Sequence, residues 1–81
     1  MDNQHYKENR EELSELLYRY ENLKSGRSHS FLDEEAFERI IDYFDDVEDL
    51  SKALEAAKFS IENFPYSSLL MIKQADLLFC P

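Results

Sequence analysis

The sequence is short of most of what a sheet, a disulfide framework or a membrane span requires. It holds one Gly, two Pro and no Trp in 81 residues, so there is almost no turn chemistry with which to fold strands into hairpins. Long polar-apolar stretches free of breakers favour helices instead. One Cys cannot form an internal disulfide. The longest aliphatic run, Leu69 to Ile72, is far too short for a bilayer span or a signal-peptide core, so a cytoplasmic address without membrane contact is the default expectation. Bases are also scarce, nine Lys and Arg against eighteen Asp and Glu. The net charge of −9 has the wrong sign for a nucleic-acid binder, which needs clustered bases to displace phosphate counterions.

What the chain does have is helical periodicity, and it reads as an all-α protein of about four helices. A polar, flexible start is expected over 1–9. Residues 10–32 hold an N-terminal helix and a connector. That helix runs from about Lys7 to Lys24, with Leu13, Leu16, Leu17, Tyr20 and Leu23 on one face and Gly26 as its stop. Asp33 is placed to cap a second helix reaching about Val47. Leu32 and Phe37 are spaced as a hydrophobic staple across that cap, and Glu34 and Glu35 suit the positive end of the helix dipole. Asp49 or Ser51 opens a third helix with Leu50, Ala53, Leu54, Ala57 and Ile61 as its apolar face; Pro65 prevents its continuation. Ser67 or Ser68 caps a fourth, which runs to the end of the chain.

Between Asp33 and Phe79 the pattern repeats. Phe37, Ile40, Phe44, Ala53, Ala57 and Pro65 mark one two-helix unit over 33–66, and Met71, Ala75 and Leu78 restate Phe37, Ile41 and Phe44 after a shift of 34 residues. With this period the chain resembles tetratricopeptide (TPR) repeat proteins of bacterial type. The match covers somewhat more than half of the sequence and omits the first thirty residues. It departs from the family pattern where a small residue is expected at Ile41, a Gly at Glu48, an aromatic at Ala57, an Ala at Ser60 and an aliphatic at Gln74. The resemblance implies antiparallel helix hairpins of an α-α superhelix, with 67–81 supplying the first helix of a following repeat. It also implies a concave groove for a partner protein or peptide.

Ala53, Ala56 and Ala57 suit a close crossing of the second and third helices, with Phe37, Ile40, Ile41 and Phe44 filling the space alongside. The fourth helix is apolar nearly all round, the mark of a buried helix. Because stacked repeats bury each other, the chain reads as an amino-terminal fragment with about one and a half repeats, or as a homodimer joined through the 67–79 helix. The N-terminal helix, with Glu8, Glu11, Glu12, Glu15 and Arg19 on its polar face, reads as a cap.

The candidate binding residues come from charge pattern. Nine carboxylates and one base, Arg39, lie between Asp33 and Asp49. Glu35, Glu38, Asp42, Asp45 and Asp46 recur three and four apart, forming one stripe of the second helix. Like charges so spaced cost about 0.2–0.5 kcal/mol each, and with Arg39 as the sole relief the stripe is expected to reduce stability until a basic partner arrives. The resemblance puts this stripe in the groove, beside Leu69, Ile72, Asp76 and Phe79 of the fourth helix.

Chemistry beyond binding has little support. A carboxylate stripe in water gives its members similar environments, whereas general acid-base work needs dissimilar ones. His5 and His29 sit in polar segments, and Cys80 reads as an apolar filler. The acids from Asp42 to Asp49 lack the Gly and the alternation of a calcium loop, and zinc lacks its Cys and His set. No cofactor, metal or enzymatic role is expected. The reading is a non-enzymatic protein-protein interaction scaffold, with a basic partner favoured by the stripe. Self-assembly through the last helix and acidic mimicry of a nucleic acid are the alternatives.

Overall fold

The computed structural model of the protein describes the backbone over 3–27 and 31–79, and the side chains within those spans from Arg10 onward. It is all-α, with helices α1 (Asn3–Lys24), α2 (Glu34–Asp46), α3 (Leu50–Asn63) and α4 (Ser68–Phe79). No strand occurs among the described residues. The chain divides into two compact units, Met1–Leu32 and Asp33–Pro81.

In the first unit, α1 begins at Asn3, upstream of the start expected near Lys7. The opening nine residues contain neither Gly nor Pro, so nothing in them opposes propagation of the helix. Glu11, Glu12, Glu15 and Arg19 are exposed, while Leu13, Leu16, Leu17 and Leu23 are half-buried. Arg19 pairs with Glu15 at 3.0 Å along the helix. Gly26, at φ +78°, ends α1 as anticipated: its N–H donates to the Leu23 carbonyl, and that of Arg27 donates to Asn22.

The second unit is built on a helical hairpin. The Asp33 carboxylate accepts the Ala36 N–H at 2.8 Å and starts α2, which buries Ala36, Phe37, Ile40, Ile41 and Phe44 along one face. The Asp49 carboxylate does the same for Lys52 and starts α3. The two helices run antiparallel. Phe37, early in α2, meets Phe59 late in α3 and Phe64 just past its end edge-to-face, with ring centroids 6.0 and 6.1 Å apart. At the other end Lys52 lies over the Phe44 ring. Ala53, Ala56 and Ala57 are fully buried, as a close crossing requires. Ser60, buried among them, satisfies its hydroxyl by donating to the Ala57 carbonyl at 2.7 Å. Phe64 and Pro65 end α3, and the Ser67 hydroxyl accepts the Leu70 N–H to begin α4, which packs on α3 and α2.

The turn between α2 and α3 is locally strained. Glu48 has φ +60°, the left-handed conformation that suits Gly, and it holds the position just past the end of α2. Its N–H donates to Asp45 and that of Asp49 to Phe44, so the helix end is closed by backbone bonds that need no side chain at position 48. Glu48→Gly is therefore expected to stabilise the protein by about 1 kcal/mol, raising the midpoint of thermal unfolding; an unchanged or lower midpoint contradicts this account of the turn.

Candidate interaction surface

The acidic stripe of α2 divides in two when it meets α4. Glu35, Asp45 and Asp46 are exposed, whereas Glu38 and Asp42 are half-buried against Lys73 of α4. The Lys73 ammonium donates to Asp42 Oδ1 at 2.6 Å and stands 3.5 Å from Glu38 Oε2. Side-chain exposures of 25% for Lys73, 31% for Glu38 and 48% for Asp42 leave the cluster screened only in part by water. Burial alone lowers the pKa of Lys73, but the hydrogen bond and charge of Asp42, followed by those of Glu38, outweigh it and raise the value above the ordinary lysine one. The expectation that Arg39 alone relieves the stripe is thus corrected. Lys73 relieves it across the helix pair, because α2 and α4 lie side by side.

That contact also sorts the residues expected on α4. Leu69 lies one turn before Lys73 and Asp76 three residues after it, which places both on the α2 side of the helix, and both are exposed. Ile72 and Phe79 follow in the same sense of rotation, about 100–120° from Lys73, so that Leu69, Ile72, Asp76 and Phe79 form one exposed stripe with spacings of three, four and three. The structure therefore joins Glu38 and Asp42 of α2 to α4 through Lys73, while Leu69, Ile72, Asp76 and Phe79 share one exposed side of α4. Of the apolar residues of α4, Leu70 and Leu77 are buried, while Met71, Ile72, Leu78 and Phe79 remain exposed, so the helix is covered on one face only.

The charge pattern of α2 alone does not reveal the pairing with Lys73, although the sequence carries a signal for it. The 34-residue shift sets Lys73 where Arg39 stands in α2, and adjacent repeats bring such positions near each other's flanking acids.

The end of α2 carries a second peculiarity. Asp45 and Asp46 occupy its last turn, which holds no base, so both oppose the negative end of the helix dipole; Glu48 follows in its left-handed conformation. Three exposed acids thus stand at positions where each is locally unfavourable.

A shallow depression of about 370 Å³ lies at the turn between α3 and α4, bordered by Glu34, Phe64, Pro65 and Tyr66, and none of the expected site residues lines it. Among the described residues, no group of three His, Cys, Asp or Glu could hold a metal ion, and no helix is long and apolar enough to cross a membrane. The side chains of His5, His29 and Cys80 and those of the expected flexible start over 1–9 lie outside the described residues. No protein-family model, curated protein or solved structure matches this chain.

Proposed function

We propose that the protein is a non-enzymatic, TPR-like interaction module that binds a partner protein or peptide with a basic contact surface across α2 and α4. The observation that carries this reading is the presence of exposed acids at the end of α2, where each works against local stability. Sites that break local rules without local compensation are commonly the ones kept for a partner. Lys73 adds to it by neutralising only the middle of the stripe, leaving Glu35 at one end and Asp45 with Asp46 at the other as the available charges. Leu69 supplies apolar contact beside them. The helical-repeat part of the reading is supported by the antiparallel α2–α3 hairpin and by α4 returning alongside α2. It is supported too by the left-handed backbone at Glu48, where the resemblance implies Gly.

The test uses helical peptides of equal length and opposite charge, titrated at low and high salt. The basic peptide is expected to bind and the acidic one not, with affinity falling as salt rises. Changing Glu35, Asp45 and Asp46 together to Lys should weaken the basic peptide at least tenfold, about 1.4 kcal/mol. It should not weaken the fold, since two of the new charges complement the helix dipole. Equal binding of both peptides, or an unaltered affinity in the triple variant, would reject the basic-partner reading.

A further inference from the structure

The uncovered face of α4 has an arrangement of its own. Ala75 is exposed at its centre, with Met71 and Ile72 four and three residues before it and Leu78 and Phe79 three and four residues after. On a helix these four surround Ala75 as the walls of a shallow socket. Their exposures are 44% for Met71, 57% for Ile72, 61% for Leu78 and 84% for Phe79, and none of the five residues carries a charge. The matching residues of α2 after the 34-residue shift, Phe37, Ile41 and Phe44, are all buried under α3, where Ala53 and Ala57 permit close approach. In α4 the small residue lies on the uncovered helix itself.

We infer that this face binds a second copy of the same chain, α4 against α4 in antiparallel contact, with a twofold axis passing near Ala75. The spacing is symmetric about that residue, so the axis sets Met71 and Ile72 of one protomer against Leu78 and Phe79 of its partner, the self-complementarity an isologous interface demands. Ala75 facing its own copy permits a close approach of the two axes. At about 200 Å² for a fully exposed large side chain, the four residues offer about 500 Å² per protomer. Two copies then withdraw at most roughly 1,000 Å² from water, at the threshold of specific association. Each protomer carries a net charge of −9, so the copies repel at long range and the contact strengthens as salt screens them. This response is opposite in sign to that of a basic partner, and it separates failure of the dimer from failure of the basic-partner reading.

Sedimentation equilibrium from about 1 µM to about 1 mM should show a monomer–dimer equilibrium that tightens with salt. Ile72→Asp, at an exposed position, should weaken it at least 100-fold, and Tyr66→Ser, an exposed aromatic off this face, should leave it unchanged. In a Cys80→Ser background, Ala75→Cys should oxidise to a cross-linked dimer much faster than Glu62→Cys. A monomer throughout the concentration range, an unaltered dimer in Ile72→Asp, or equal cross-linking of the two cysteine variants would each overturn the inference and give the face to another occupant.

Discussion

Replacing Phe37 by Ala is expected to abolish cooperative folding of the 33–81 unit at ordinary temperature. Phe37 is fully buried and joins the start of α2 to the end of α3 through two edge-to-face ring contacts, with Phe59 and Phe64. Truncating a buried Phe to Ala costs about 3–5 kcal/mol, part of it transfer and part the cavity left behind. A unit of this size holds only about 2–7 kcal/mol in total at 0.05–0.15 kcal/mol per residue, so one such loss is comparable to all of it. Phe37→Leu keeps most of the volume and should cost roughly 1–2 kcal/mol, retaining a cooperative melt at lower temperature. Circular dichroism during thermal unfolding distinguishes them. A Phe37→Ala variant melting within about 1 kcal/mol of the parent would mean that the hairpin is held elsewhere.

Lys73→Glu should be the next most damaging change, through charge. It removes the ammonium that bridges Asp42 and Glu38 and sets a third carboxylate facing them, for an expected loss of about 2–3 kcal/mol. Lys73→Met removes the attraction without adding repulsion and should cost about 1–2 kcal/mol, a figure reduced from that of a buried pair because Asp42 is near half-exposed. Pairing Lys73→Glu with Asp42→Lys should restore part of the loss, giving a coupling of at least about 1 kcal/mol in a double-mutant cycle. The pH dependence has a definite sign. A lysine whose pKa is raised by folding contributes its stabilisation in full below the unfolded value and loses it as pH rises through the folded one. The gap between the parent and Lys73→Met should therefore be constant through neutral pH and close only under strongly alkaline conditions. Equal stability of the two proteins at neutral pH would show that the bridge is neutral in net effect.

The helices were legible because their signals are local. Asp33 and Asp49 announce their caps by residue type, Gly26 its left-handed stop, and Pro65 the end of α3, while the buried stripe of α2 follows from spacing alone. Glu48 was not legible in the same way. Nothing in a Glu suggests positive φ, and only its place in the repeat pattern, where Gly is expected, pointed to the turn. Lys73 was missed because its role depends on the apposition of α2 and α4, and no local rule reports which acids a solitary lysine will meet. The apolar character of α4 suggests a helix buried all round, whereas most of its large apolar side chains are exposed, because composition does not say which face is covered. The packing of Leu70 and Leu77 decides that, and leaves the Ala75 face open.

The central claim is that a basic partner engages the acidic ends of α2 together with the near side of α4. Titrating isotopically labelled protein with a basic helical peptide, and following amide resonances, tests it most directly. The account predicts saturable shifts concentrated at Glu35, Asp45, Asp46, Leu69 and Asp76, diminishing with salt. Shifts spread evenly over the surface, or none at saturating peptide, would contradict it and leave the stripe a solvated face.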